Sequence, residues 1–352
     1  YLMNINFLVG NLDYFNSYAF IYPVYNSINE LSKKNKIKIS YDLDKNIYDL
    51  IFLDSKFFYK SFIKSDYISI QKTLDNIRSK CKILVYCDNE ASLFINNKIY
   101  RYVDFYLKSK LPINKNYYSL KYYGLRSYTD FYNHKFNIID KNERFSDILT
   151  EDQSKKNILG WNNGICDYSL YGNLKRKIFS ITKLNFILKF NITLQNKTNK
   201  LSARINQSYS RETINFQRKY LTKILRDYTE TNRVNKKQYF NEIAKSYSSL
   251  SPFGWGEVCY RDFEIFLNKS MLIKPTMEHL ITWPNYYVNN KTYLNFEWDF
   301  NNFEKIISAV DDLDYCSYIA DNGHQHFMSF FNDEGRKKFS NYFDNILNKV
   351  VI

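Results

Sequence analysis

Residues 251–275 read SPFGWGEVCYRDFEIFLNKSMLIKP, and this stretch decides the fold class. The pattern predicts a loop interrupted by Gly254 and Gly256, a short amphipathic helix that begins near residues 257–260, and an apolar strand over residues 271–273. A loop that opens a helix after a strand presents unpaired backbone N–H groups and the positive end of the helix dipole. Because glycine lets the backbone come close to a ligand, the stretch predicts a site for a phosphorylated molecule.

The rest of the chain repeats this alternation of short apolar strands with helices. In the first half, apolar runs predict strands at residues 5–9, 37–39, 50–53, 67–70 and 83–86. Apolar residues at helical spacing predict a helix within residues 16–31, with Pro23 near its start. In the second half, strand-like runs at 158–161, 200–205, 271–273 and 293–296 alternate with helices at 211–228, 235–242 and 301–310. Short buried strands between helices indicate an α/β fold with parallel, doubly wound sheets.

A charged stretch without periodicity, residues 147–157 (DILTEDQSKKN), marks the predicted domain boundary. The chain of 352 residues is long enough for two domains of roughly 100 to 200 residues each. We predict a Rossmann-like domain over residues 1–155 and a second over residues 156–330. Residues 331–352 are predicted to form a terminal amphipathic helix.

The net charge of +14 favours anionic partners, namely nucleic acid, an anionic membrane surface or a phosphorylated small molecule, without choosing among them. Five cysteines without a CxxC pattern suit a reducing compartment and argue against a structural zinc site. No apolar run approaches the roughly 20 residues that a membrane span needs, and no signal peptide opens the chain. We therefore expect a soluble, cytoplasmic protein and leave open a peripheral contact at the inner face of the membrane.

Three charged residues stand at helical spacing in the opening stretch. Glu257, Arg261 and Glu264 are four and three residues apart, so a helix through all three would carry them on one face. Such a face is either an exposed ion pair within the helix, or a guanidinium for phosphate beside a carboxylate for ribose hydroxyls. The spacing alone leaves both interpretations open.

The same stretch, together with residues 277–280 (MEHL) and 282–285 (TWPN), resembles the donor-binding segment of exostosin-like glycosyltransferases and related bacterial GT-B enzymes of capsule and lipopolysaccharide synthesis. A looser likeness extends to residues 106–108, 160–162, 204–218 and 298–299. The resemblance implies a GT-B fold, in which two Rossmann-like domains face a cleft and a C-terminal helix packs back. The nucleotide-sugar would lie on the second domain.

The resemblance also implies roles for individual residues. Glu264 would hold the ribose, while Arg261 and the loop of Gly254, Trp255 and Gly256 would face the diphosphate or the sugar. Retaining members of the family carry two glutamates with seven residues between them. Six residues separate Glu257 from Glu264, so the resemblance makes Glu257 a catalytic candidate and leaves the stereochemical outcome open.

Other charged residues could complete a transferase site. Arg211 and Arg218 are candidate contacts to the donor phosphates, which need cations where no metal ion neutralises the leaving nucleotide, although exposed helix charges are the alternative. Asp13 and Glu90, like Asp88, follow predicted strands and are candidate bases, with turn or cap roles as the alternative. Two D-x-D triplets, at 42–44 and 312–314, and the histidines at 324 and 326 fit chance better than a metal site.

We therefore predict a metal-independent glycosyltransferase that moves a sugar from a nucleoside diphosphate sugar to a hydroxyl of a glycan or lipid-linked glycan. It would act in surface polysaccharide or protein glycan synthesis, with the nucleotide-sugar as co-substrate, no other cofactor and no nucleic acid partner. The alternative is a basic, non-enzymatic protein that binds nucleic acid or an anionic membrane surface, which the net charge supports. An epimerase would need a glycine-rich fingerprint after the first strand, and residues 7–15 (FLVGNLDYF) lack it.

Overall fold

The computed structural model describes residues 2–58, 61, 66–189 and 192–351, and within them it contains two parallel β-sheets with helices packed around them. The strands are β1 Met3–Leu8, β2 Asn35–Ser40, β3 Tyr48–Asp54, β4 Cys81–Asp88, β5 Phe105–Lys108, β6 Lys110–Pro112, β7 Asn157–Leu159, β8 Asn199–Ser202, β9 Ser246–Leu250, β10 Met271–Pro275, β11 Leu280–Thr282 and β12 Tyr293–Phe296. The first sheet has the order β2-β1-β3-β4-β5-β7, and the second has the order β12-β10-β9-β8. All neighbours within both sheets are parallel. We call each sheet with its flanking helices the first and the second unit.

The α-helices lie between the strands and after the last one. They are α1 Phe15–Asn26, α2 Ile28–Leu31, α3 Tyr67–Arg78, α4 Ser127–Phe136, α5 Glu151–Lys155, α6 Gly172–Thr182, α7 Glu212–Ile224, α8 Lys236–Ala244, α9 Tyr260–Leu267, α10 Phe303–Asp311, α11 Leu313–Met328 and α12 Asp333–Val350. No helix among the residues described is long and apolar enough to cross a membrane.

Both faces of the first sheet are buried, which explains why its strands appear as continuous apolar runs in the sequence. On one face, Phe7 stacks on Phe52 at 4.9 Å between ring centroids. On the other face, residues such as Leu8 and Ile51 pack in a separate cluster with Leu74 of α3. Helices therefore cover the sheet on both sides, as the doubly wound prediction requires.

The last helix packs back on the first unit. Phe343 of α12 is fully buried and its ring lies 5.7 Å from Phe7 and 5.3 Å from Phe52. Its neighbour Tyr342 stacks on Trp283 at 3.7 Å, with the two rings almost parallel. The predicted α/β class, with two Rossmann-like units and a C-terminal helix that packs back, is confirmed.

Three local predictions are wrong. Residues 67–70 form the first turn of α3 rather than a strand; Asp66 caps this helix by accepting the Ser69 N–H at 3.0 Å. Pro23 lies inside α1 instead of near a helix start. Residues 157–159 pair with β5 in the first sheet and do not open the second unit. The first sheet thus extends past the predicted boundary at residue 155, and the division into domains stays a prediction.

Candidate active site

A cavity of about 400 Å³ lies at the carboxyl edge of the second sheet. It lies between the segment after β8, the start of α8 and the first turn of α9. Its lining residues are Arg204, Ile205, Asn206, Arg233, Val234, Lys236, Tyr239, Phe240, Arg261 and Glu264. Open parallel sheets bind their ligands in crevices outside the carboxyl ends of the strands, so the cavity has the position expected of a ligand site.

The cavity lining carries four cationic side chains and one carboxyl group. Arg204 is engaged, because its Nε donates to Glu242 Oε2 at 2.8 Å. Arg233 and Lys236 are exposed and form no ion pair with any described residue. The cavity can therefore offer these two cations to an anionic ligand without breaking an existing salt bridge.

Arg261 and Glu264 lie together in this wall, as their spacing on α9 predicts. The Tyr239 hydroxyl donates to Glu264 Oε2 at 2.9 Å, and the Arg261 guanidinium lies 5.5 Å above the Tyr239 ring. Burial raises the pKa of Glu264, against the lowering influence of the Tyr239 hydroxyl and the Arg261 charge. Both residues are half-buried, so the interpretation as an exposed ion pair is wrong.

A smaller cavity of about 140 Å³ adjoins the first one. The two share Lys236 and Glu264, and the smaller cavity is also lined by Phe15, Tyr168 and Asn173. Phe15 opens α1 of the first unit. The space beside Glu264 therefore extends from the second unit toward the first.

The glycine loop lies outside both cavities and packs against the first unit instead. A Cβ atom on Gly256 would lie 2.1 Å from the backbone carbon of Ala91, in the loop after β4. The Val258 N–H donates to the Ala91 carbonyl at 3.2 Å. The close approach that glycine permits is thus made to protein backbone, and none of Gly254, Trp255 and Gly256 lines either cavity.

Two side chains from the α4 region hold the same loop from outside. Arg126 Nε donates to the Trp255 carbonyl at 2.6 Å, and the Tyr128 hydroxyl donates to the Gly254 carbonyl at 2.6 Å. These bonds orient the loop carbonyl groups toward residues that precede the second unit in the chain. A role for the loop amides in binding phosphate stays a prediction.

Glu257 is not on the helix face with Arg261, and that part of the sequence prediction is wrong. Helix α9 begins at Tyr260, so Glu257 belongs to the loop before it. The side chain is fully buried, and neither carboxylate oxygen has a hydrogen-bond partner among the described residues. His279 Nε2 lies 3.8 Å from Glu257 Oε1, which is too far for a hydrogen bond. Burial opposes ionisation of Glu257, yet His279 and the charge of Lys110 outweigh it and hold its pKa below the usual value.

Lys110, the first residue of β6, belongs to a buried polar cluster. Its Nζ donates to the carbonyl of Glu90 and to Ser109 Oγ, the latter at 2.9 Å. Burial, reinforced by the nearby Lys108 charge, lowers the pKa of Lys110 to about 8. Lys108 in turn donates to Asp88 Oδ2 at 2.9 Å. The sequence alone does not single out Lys110, because no local pattern indicates that its charge acts on Glu257.

Comparison with known proteins gives similarity only in solved structures. No protein-family model and no curated protein matches the chain. A crystal structure of Anabaena Alr3699/HepE in complex with UDP-glucose is similar, with 10% identity, coverage of 99% of this chain and 100% of that chain, and a TM-score of 0.45.

Two further solved structures show weaker similarity. An α1,3-fucosyltransferase with GDP shares 15% identity over 98% of this chain and 90% of its own, with a TM-score of 0.37. A sucrose-phosphate synthase from Thermosynechococcus elongatus shares 9% identity over 86% and 74%, with a TM-score of 0.36. At these values we assign no residue and no activity from any of the three.

The remaining candidate residues lie away from the main cavity. Asp13 is exposed, with Arg176 Nη1 3.8 Å from its carboxylate, and Glu90 forms an ion pair with Lys56. Arg211 Nη1 donates to the Gly124 carbonyl at 2.8 Å. These contacts leave the proposed roles of Asp13, Glu90 and Arg211 as predictions.

Arg218 is buried on α7 and supports the glycine loop rather than the cavity. Its Nε donates to the Phe253 carbonyl at 2.8 Å, and its Nη1 donates to the Asn206 carbonyl at 2.9 Å. Asn206 lines the cavity, so Arg218 connects the loop with the cavity wall from behind. Arg218 is buried and does not line the cavity, so its direct contact with donor phosphate stays a prediction.

The acidic triplets and the histidine pair make structural contacts. Asp44 accepts the Tyr48 hydroxyl at 2.7 Å, and Asp312 caps α11 by accepting the Tyr315 N–H at 2.9 Å. The two histidines each face a different backbone carbonyl at 2.9 Å. Within the ranges that the structure describes, no three His, Cys, Asp or Glu residues form a group that could hold a metal ion.

Proposed function

We propose that the protein is a glycosyltransferase that moves a sugar from a nucleoside diphosphate sugar to a hydroxyl group of a glycan or lipid-linked glycan. The observation that carries the proposal is the cavity of about 400 Å³ at the carboxyl edge of the second sheet, which Arg233, Lys236 and Arg261 line together with Glu264. Its volume lies within the range of small-molecule sites, roughly 300–1,000 Å³. Three cations around one carboxylate suit a ligand with a diphosphate and free hydroxyl groups.

The cations would act on the leaving group. When the bond from the anomeric carbon to the phosphate oxygen breaks, its electrons remain on the nucleoside diphosphate, which gains negative charge. Arg233 and Lys236 have no ion-pair partner among the described residues, so they can stabilise this charge at once. We propose that they take the place of a metal ion in the reaction.

Glu264 would orient the donor. Its carboxylate can accept the hydroxyl groups of the ribose, and its bond from Tyr239 fixes the orientation of the side chain. The rings of Tyr239 and Phe240 add an apolar wall that suits a nucleobase. The donor sugar would then extend from Glu264 into the smaller cavity, toward the first unit.

The acceptor would approach from the first unit. Its hydroxyl oxygen would form the new bond to the anomeric carbon while its proton passes to a base. Asp13 and Glu90, which follow β1 and β4 at the carboxyl edge of the first sheet, are the candidate bases. Glu257 is a third candidate, because its ionised carboxylate has no hydrogen-bond partner among the described residues at the junction of the two units.

A thermal-shift panel with UDP, GDP, CMP and ADP tests the proposal. A nucleotide present at about 100 times its Kd stabilises the folded protein by roughly 2.7 kcal/mol. We expect at least one nucleotide to raise the Tm of the wild type, and both Glu264→Gln and Arg261→Met to abolish that rise. Glu212→Gln, on the exposed side of α7, is the matched control and should respond as the wild type does.

The proposal is wrong if no nucleotide changes the Tm of the wild type, or if both cavity variants respond like the Glu212→Gln control. A parallel titration with duplex and single-stranded DNA at two salt concentrations tests the non-enzymatic alternative. Binding that weakens steeply with salt, without any response to nucleotides, would favour a basic nucleic-acid-binding protein.

A further inference from the structure

Helix α6 and the turn after it expose a row of apolar side chains. We call this row the apolar stripe; its members are Tyr171, Leu174, Ile178, Ile181, Leu184 and Phe186. The first four are spaced by three, four and three residues, so they lie along one side of the helix. Ile181 is 83% exposed and Phe186 is 62% exposed. A surface helix normally exposes its polar side, so this helix has an apolar surface with no partner among the described residues.

The opposite side of α6 is anchored, which fixes the direction of the stripe. Phe179 is fully buried, and its ring lies 4.9 Å from Tyr25 and 5.8 Å from Tyr18 of α1. Arg176 is buried and donates to the Leu12 carbonyl. Because these contacts hold the helix, turning the stripe inward would expose Phe179 and leave a buried cation without its acceptor.

The charged residues of the segment that carries the stripe are all basic. Residues 171–189 contain five basic residues and no aspartate or glutamate. Of the five, Lys177, Lys183 and Lys189 are exposed. The surface therefore combines large apolar side chains with exposed positive charge, which is the composition of segments that lie in the interface of an anionic bilayer.

We propose that the apolar stripe and its three exposed lysines bind the surface of an anionic lipid bilayer. The apolar side chains enter the boundary between headgroups and acyl chains, and the lysines contact the lipid phosphates. A second copy of the chain fits this surface poorly, because pairing two stripes would bring two sets of like charges together on proteins that each carry +14. Binding of this kind needs no nucleotide-sugar and is independent of the proposed transferase activity.

Vesicle co-sedimentation tests the proposal on the full chain. One set of vesicles contains phosphatidylcholine alone, and the other contains equal parts of phosphatidylcholine and phosphatidylglycerol. We expect the wild type to sediment with the anionic vesicles and to be released by high salt. The double variants Ile178→Ser/Ile181→Ser and Lys177→Glu/Lys189→Glu should each weaken this partition by about tenfold or more.

A matched control removes at least as much exposed apolar surface elsewhere. Ile47 and Ile68 are 69% and 71% exposed, and the Ile47→Ser/Ile68→Ser variant should bind anionic vesicles like the wild type. The melting curves of all variants should coincide, because the substituted side chains are exposed. The proposal is overturned if the wild type ignores anionic vesicles, or if the stripe variants and the control bind equally. It is also overturned if the wild type does not bind vesicles and light scattering shows that it forms a dimer which the stripe variants dissociate.

Discussion

The close contact between Gly256 and Ala91 joins the two units, and we predict that the Gly256→Ala substitution destabilises the protein. A Cβ atom at position 256 would meet three backbone atoms, the carbon and oxygen of Ala91 at 2.1 and 2.2 Å and the nitrogen of Ser92 at 2.5 Å. Ordinary van der Waals contact begins at 3.4 Å. The Gly256→Ala variant must therefore separate the glycine loop from the loop after β4 by roughly 1 Å, since backbone cannot rotate away as a side chain can.

The expected cost follows from three contributions. Alanine at a glycine position without positive φ stabilises by about 0.4–1 kcal/mol, because it restricts the unfolded chain. Forcing atoms into a packed contact costs about 1–3 kcal/mol. Weakening the bond from the Val258 N–H to the Ala91 carbonyl adds about 1 kcal/mol. The net result is a loss of roughly 1–3.5 kcal/mol in the free energy of unfolding.

Gly254→Ala is the matched control in the same loop. Its Cβ would meet the Tyr209 hydroxyl at 2.9 Å, the movable end of a side chain, so we expect a change within about 0.5 kcal/mol. Urea unfolding followed by circular dichroism and by tryptophan fluorescence, with Trp255 adjacent to both sites, measures the two midpoints. A midpoint for Gly256→Ala equal to or above that of Gly254→Ala would refute the packing argument.

Three further changes probe the buried charges and the last helix. Burial lowers the pKa of Lys110 to about 8, so the folded state loses this proton at a lower pH than the unfolded state does. The free energy of unfolding of the wild type should therefore rise by up to roughly 3 kcal/mol between pH 8 and 10.5, and Lys110→Met should remove this rise. The prediction is contradicted if the urea midpoints of wild type and variant change with pH in the same way across that range. Glu257→Gln should remove a stabilising contribution to the free energy of unfolding, because the pKa of Glu257 is lower in the folded state than its usual 4.5. This contribution is present above about pH 4.5 and is lost as the pH falls through the folded pKa. A difference in stability between wild type and variant that is the same at about pH 3 and about pH 6 would count against it. Phe343→Ala should cost about 3–5 kcal/mol and speed hydrogen exchange in α12, whereas a loss below about 1 kcal/mol would mean that this helix is not anchored by its aromatic contacts.

The sequence predicts the strands of the first sheet well where burial on both faces makes them apolar throughout, as in β1, β3 and β4. It fails at residues 67–70, because a short apolar run looks the same as a strand or as a first helical turn. The spacing of Ile70, Leu74 and Ile77 contains the helical period that resolves the ambiguity. Residues 157–159 are a different case, since their pairing with β5 depends on strand order and not on any local pattern.

In the candidate site, too, residues that share one helix could be predicted, and residues from separate segments could not. Arg261 and Glu264 could be predicted because one helix carries both. Arg233, Lys236 and Tyr239 come from the segment that starts α8, and they meet Glu264 only because β9 lies beside β8 in the sheet. Residues that share a cavity through sheet order leave no spacing signal in the chain.

Glu257 shows how a correct spacing can mislead. Its separation of four residues from Arg261 fits a shared helix face, yet α9 begins at Tyr260. The backbone before the helix is held in a loop by hydrogen bonds from Arg126 and Tyr128 to its carbonyl groups. The two glycines have the same ambiguity, because close approach by a phosphate and close approach by another backbone require the same missing Cβ. Here the Ala91 backbone fills the place beside Gly256. A ligand is therefore expected beside Arg261 and Glu264, whose side chains line open space at the carboxyl edge of the sheet.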